Sequence, residues 1–134
     1  MFIFTGLDNL LKYLQMKDYV KIFKHEKNVS VCFYIESAKV MTIGDKMNEI
    51  NELAYMNGYN WDAFFNYYLK KDHPEVFEDM DSDPEAGTYV AYYDINTENE
   101  KKAEKLAAII ENLVENEQKL YDILKKSGDQ INWD

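Results

Sequence analysis

The chain contains no arginine. Without a guanidinium it has no bidentate clamp for phosphate or carboxylate, which argues against nucleotide and nucleic-acid chemistry. Cys32 is its one cysteine, so no internal disulfide can form and a reducing compartment is favoured. No apolar run reaches the roughly 18 residues that a membrane span needs. The opening MFIFTGLDNLLKYL is apolar, but Asp8 and Lys12 interrupt it and the basic start of a signal peptide is missing. These absences point to a cytoplasmic protein. No internal repeat and no Gly/Ser/Pro-rich linker divides the 134 residues, which read as a single domain, 1–134. The 46% hydrophobic and 15% aromatic content is enough for one core, and a chain of this size buries roughly two-thirds of its unfolded surface.

Positive charge is missing locally as well. Residues 72–100 hold no lysine but ten carboxylates: Asp72, Glu75, Glu78, Asp79, Asp81, Asp83, Glu85, Asp94, Glu98 and Glu100. Residues 1–71 carry nine Lys against eight Asp and Glu, whereas residues 72–134 carry six against 17, so the net charge of −10 belongs to the C-terminal half. Such a stretch repels itself unless it is solvated or meets a cation. Its natural partner is a basic protein or a metal ion, while nucleic acid and anionic lipid are repelled.

Periodicity predicts an α+β fold: a small, mostly antiparallel sheet covered by helices, with a long C-terminal helix. Thr5 with Asp8 opens a short helix through about Met16. Tyr19–His25 and Val29–Glu36 read as strands, the second alternating Val29, Val31, Phe33 and Ile35 on one face, and Glu26-Lys27-Asn28 suits a hairpin. Thr42 with Asp45 suggests a capped helix running to about Met56, with Gly58 past its end. Asn60 then caps a helix from Trp61 to Lys71, which Pro74 stops. Residues 72–87 read as an irregular acidic connection with at most a turn of helix at 74–80, and Thr88–Asp94 as a third strand. Thr97-Glu98-Asn99-Glu100 matches the capping box. Ala103, Leu106, Ile110, Leu113, Leu120 and Leu124 form the stripe of the helix that follows. Glu117 interrupts the stripe, so Asn116 marks a kink or a second start, and Gly128 ends it. Ile131 and Trp133 alternate, as in a short strand or a packed tail.

Few side chains offer chemistry. Asp79, Asp81, Asp83 and Glu85 alternate as in a calcium loop, but the sixth and twelfth positions, which need Gly and Glu, hold Pro84 and Val90. His25, His73 and Cys32 have no motif around them, and no nucleophile elbow, phosphate loop or metal spacing occurs. Carboxylate pairs leave a two-carboxylate hydrolase open, but nothing selects any two of them. The chain therefore reads as a non-enzyme without metal or cofactor. Seven aromatics crowd residues 55–68, of which Trp61, Phe65 and Tyr68 share a core face with Leu69, while Tyr59 and Tyr67 are candidates to meet a partner.

Two segments carry a family resemblance. Gly58-Tyr59-Asn60-Trp61-Asp62 precedes a helix, and Asp83-Pro84-Glu85-Ala86-Gly87-Thr88-Tyr89-Val90-Ala91-Tyr92 enters a strand. Together they resemble the Immunity protein 51 family of bacterial polymorphic-toxin systems, over residues 18–126. The chain departs from that pattern at Met56, where the family more often has a small residue, and residues 1–17 read as an N-terminal helical addition. The resemblance implies a protein that binds and neutralises a cognate toxin C-terminal domain in the producing cell. Given the charge, that domain is expected to be basic, met by Glu78, Asp79, Asp81, Asp83 and Glu85 with Tyr59 and Tyr67. Gly58, Trp61, Pro84 and Gly87 are the motif positions expected to be structural. Another protein-binding module, such as a different kind of immunity protein or an adaptor, is the alternative.

Overall fold

The computed structural model describes residues 17–133. The helix expected to start at Thr5 and Asp8 lies outside the described residues. Strands β1 (Val20–Lys24) and β2 (Asn28–Tyr34) form the expected antiparallel hairpin, in register from Val20 opposite Phe33 to Lys24 opposite Val29. Strand β3 (Asp81–Ser82) is short, and β4 (Thr88–Asp94) coincides with the expected third strand. The sheet order is β1-β2-β4-β3, antiparallel throughout.

The helices are α1 (Ala38–Ile50), α2 (Gly58–Asp72), α3 (Pro74–Phe77), α4 (Thr97–Glu115) and α5 (Glu117–Ser127), followed by a 3-10 turn, Gly128–Gln130. The alternation in β2 and β4 puts Val29, Val31, Phe33, Tyr89, Ala91 and Tyr93 on one fully buried face. Helix α4 lies against β1, β2 and β4 through Ala103, Leu106, Ile110 and Leu113. Helix α2 adds an aromatic layer, in which Trp61 meets Phe33 edge-on at 5.0 Å and stacks on Phe65 at 5.7 Å. Phe65 in turn lies 4.9 Å from Tyr89 of β4.

Helix boundaries differ from the sequence reading, and each difference has a physical reason. Helix α1 begins at Ala38 after an extended Ser37, and the Thr42 hydroxyl donates back to the Ala38 carbonyl (2.9 Å) inside the helix instead of capping it. It ends at Ile50 instead of Met56. Gly58 does not terminate it but opens α2, whose cap is Asn57, not Asn60: the Asn57 side chain accepts from the Asn60 amide at 2.9 Å. The capping box at Thr97 is likewise displaced by one residue. Asn96 caps α4 by accepting from the Asn99 amide (2.7 Å), and the Asn99 side chain donates to the Asp94 carbonyl (2.8 Å), tying the helix start to the end of β4. The chain does break at Asn116, between α4 and α5. Residues 72–87 are more ordered than expected, holding α3 and β3. The tail packs down and forms no strand: Ile131 is buried and the Trp133 indole donates to the Gly128 carbonyl (3.2 Å).

Candidate functional site

The two segments that carry the family resemblance touch. The Gly58 amide donates to the Ala86 carbonyl at 2.9 Å. A Cβ added at Gly58 would overlap the Glu85 carbonyl oxygen and lie 2.5 Å from that of Thr88. Glycine is needed here for close approach, not for a left-handed backbone, since no glycine among the described residues has positive φ. Glu85-Ala86-Gly87-Thr88 is the turn into β4, closed by the Glu85 amide on the Thr88 carbonyl at 2.8 Å. Gly87 faces the carboxylate of Glu36. Trp61, 1% exposed, lies one turn into α2 and packs against Phe33 and Phe65.

The acidic run is an edge strand. Asp81 pairs with Tyr92, the Asp83 amide donates to the Val90 carbonyl (2.8 Å), and Glu85 bridges to Thr88. The alternation that imitates a calcium loop is thus the two-residue period of extended backbone. Asp81, Asp83 and Glu85 are exposed, while Ser82 and Pro84 between them are half-buried. Pro84 falls where the ladder needs no donor, the position a sheet edge tolerates. The Ser82 hydroxyl donates to Asp62 of α2 at 2.6 Å.

Lysines from elsewhere in the chain neutralise the first part of the run. Lys102 of α4, its side chain 12% exposed, pairs with Asp79 at 3.6 Å and donates to the Glu78 carbonyl at 3.3 Å. Lys105 bonds Glu75, which holds that carboxyl below its usual range, and Lys24 pairs with Glu100 at 3.1 Å. Asp79 also sits at φ 64°, a left-handed conformation that Asp adopts more readily than most residues. Among the described residues, the carboxylates of Glu78, Asp81, Asp83 and Glu85 make no hydrogen bond or ion pair within the chain. No group of three or more His, Cys, Asp or Glu among the described residues is arranged to hold a metal ion.

Beside this edge lies a groove of about 390 Å³ on the outer side of α2, lined by Tyr59, Asp62, Ala63, Asn66 and Tyr67 together with Gln130 and Asn132 of the tail. The Tyr67 hydroxyl donates to the Gln130 side chain (3.3 Å) and accepts from Lys71 (3.2 Å). Hydrogen bonds from Ser127 and Lys71 hold its phenol below the usual range. Tyr59, 55% exposed, stands free at the rim. Tyr59 and Tyr67 thus share one groove, and Asp62 joins that groove to β3 through Ser82. Glu78 and Asp79 stand apart, toward α4. The sequence reading did not single out Asp62, Gln130 or Asn132; the Gly-Tyr-Asn-Trp-Asp segment contains Asp62, but nothing local announces the tail residues.

The Immunity protein 51 family profile matches residues 20–129. The chain belongs to that family. No curated protein and no solved structure matches it. The Immunity protein 51 match runs from the first residue of β1 into the 3-10 turn, so it takes in the whole sheet, all five helices and both interlocked segments. Membership makes this an immunity protein, for which a cognate toxin is the implied partner. Among the described residues no helix is long and apolar enough to cross a membrane.

Proposed function

We propose that this Immunity protein 51 member binds and neutralises the C-terminal domain of a cognate toxin of a polymorphic-toxin system, in the cytoplasm and without catalysis. The toxin domain presents a basic surface to Asp81, Asp83 and Glu85, with Tyr59 and Tyr67 beside them. The observation that carries this reading is the junction itself. The Gly58–Ala86 bond and the Ser82–Asp62 bond tie the acidic edge to the start of α2, where Asp62 lines the tyrosine groove. The edge's three carboxylates have no partner within the described chain, so a cationic partner meets them without breaking anything in the fold.

Charges of this kind steer encounter more than they hold a complex. The test is Asp81→Lys/Asp83→Lys/Glu85→Lys against the purified toxin domain, with association followed by stopped flow at low and moderate salt. Asp79 is left out because its ion pair and positive φ would confound the result. Wild-type association should slow steeply with salt, and the variant should associate at least about tenfold more slowly at low salt. Association unchanged at both salts would show that the acidic edge is only a solvated border.

A further inference from the structure

The connection between α1 and α2 and the first turn of α2 carry three exposed apolar side chains, of which Tyr59 belongs to the surface just described and Leu53 and Tyr55 lie outside it. Leu53, Tyr55 and Tyr59 are 56%, 71% and 55% exposed. One exposed apolar side chain is ordinary, but these three alternate with buried Ala54, Met56 and Gly58. The alternation anchors one side of the connection and projects the other. Its backbone is held: the Asn48 side chain donates to the Glu52 carbonyl (3.2 Å), the Leu53 amide donates to the Asn51 side chain (3.0 Å), and the Ala54 amide to the Asn51 carbonyl (2.9 Å). Met56 accepts φ 54° while its side chain, 6% exposed, packs against Gly44. Side chains displayed from an anchored backbone lose little further freedom on binding.

Leu53 borders a second groove, about 520 Å³, together with Ile50, Leu124 and Asp129, and Tyr59 borders the groove of α2. The 3-10 turn separates the two grooves and is pinned by Trp133 on Gly128 and by Asn60 on the Trp133 carbonyl (3.2 Å each). The charge around this ridge is acidic: Glu52, Asp62, Glu85 and Asp129, against Lys71 and Lys125.

We propose that Leu53, Tyr55 and Tyr59 form the energetic centre of the partner-binding surface, seated in an apolar hollow of the toxin domain whose rim is cationic. This rests on the immunity reading above and deepens it, because the acidic edge becomes the rim and the ridge the anchor. Anchors at the centre of an interface set dissociation, whereas rim charges set association.

Leu53→Ala/Tyr55→Ala, measured against the purified cognate toxin domain, should dissociate at least about 100-fold faster. Its association rate should stay within about threefold of wild type, and its melting temperature should not move, since both side chains lie at the surface. Should the double variant melt low, Tyr55→Ala alone, at the most exposed of the three, should still speed dissociation about tenfold. Dissociation as slow as wild type overturns the proposal and leaves the immunity reading standing. A loss confined to association overturns it too, and assigns binding to the charges. If the wild-type chain forms no complex at all, the immunity reading fails and this proposal falls with it. A wild-type dimer in sedimentation that the variant converts to monomer overturns it by making a second copy the occupant.

Discussion

Gly58→Ala sets two physical effects against each other. Alanine is favoured over glycine in a helix by at most about 1 kcal/mol, and Gly58 is the first residue of α2. Against that, the new Cβ would overlap the Glu85 carbonyl oxygen and come within 2.5 Å of the Thr88 oxygen. Both obstacles are backbone atoms of a turn closed by its own 2.8 Å bond, so neither can swing aside as a side chain would. Overpacking costs about 1–3 kcal/mol, with rigid obstacles toward the upper end. Separating the helix from the turn also breaks the Gly58–Ala86 bond, about 1 kcal/mol more. Sterics win, and the net loss is about 2–3 kcal/mol. Urea denaturation followed by the fluorescence of buried Trp61 would measure it. Gly128→Ala is the control: Gly128 has φ −55° and ψ −32°, and its Cβ would meet only the end of the Asn51 side chain, at 2.8 Å, held by one exposed hydrogen bond from the Leu53 amide and not by backbone. That variant should stay within about 1 kcal/mol of wild type. A Gly58→Ala protein as stable as wild type, or more so, would refute the interlock as the reason for glycine.

Tyr89 and Tyr93 lie on the same face of β4, both fully buried, but the Tyr93 hydroxyl donates to the Val76 carbonyl (2.6 Å) and the Tyr89 hydroxyl has no partner among the described residues. Tyr93→Phe should therefore lose about 1–2 kcal/mol in urea melts, while Tyr89→Phe should be neutral or gain up to about 1 kcal/mol; equal losses would refute the distinction. Burial raises the pKa of both phenols, so the fold favours their neutral form. The stability this contributes is complete below about pH 10, where the unfolded phenol titrates, and is lost as pH rises toward the folded values. Alkaline unfolding should accordingly be less steep in Tyr89→Phe. Trp61→Ala empties a large aromatic site and should cost about 3–5 kcal/mol; a loss below about 1 kcal/mol with toxin binding abolished would make Trp61 an interface anchor instead.

The sheet was legible where apolar residues alternate on a single buried face, as Val29, Val31 and Phe33 do and as Tyr89, Ala91 and Tyr93 do. Helix starts were less legible because each has two candidate caps within a few residues, Asn57 or Asn60, Ser37 or Thr42, Asn96 or Thr97. A cap is worth about 1 kcal/mol, too little for local sequence to choose between neighbours. Tertiary contacts choose instead: the Gly58 amide goes to Ala86, and the Asn99 side chain goes to Asp94. Strand β3 was missed because it is two residues long and polar, so it gives no hydrophobic period, although its acids kept the period of two. The tyrosine groove joins Tyr59 and Tyr67 to Gln130 and Asn132, a meeting that α4 and α5 arrange and that no local pattern encodes.

The acidic edge can be weighed against a purely protective role. Exposed strand edges invite pairing with other chains, and proteins deter it with short strands, charges or proline. Here β3 is only two residues long and Pro84 follows closely, so the edge is already blunted before its charges are counted. Lys102 and Lys105 show that the fold supplies cations to carboxylates it needs to neutralise, at Asp79 and Glu75. It supplies none to Asp81, Asp83 or Glu85, which stand exposed along one extended edge. Holding like charges together costs stability through repulsion, a penalty that edge protection does not require and that a cationic partner would turn into faster encounter. The lysine pairs stop at Asp79, just before β3. That is also where Ser82 ties the edge to Asp62 and the tyrosine groove, so the unneutralised charge lies next to the aromatic surface it would serve.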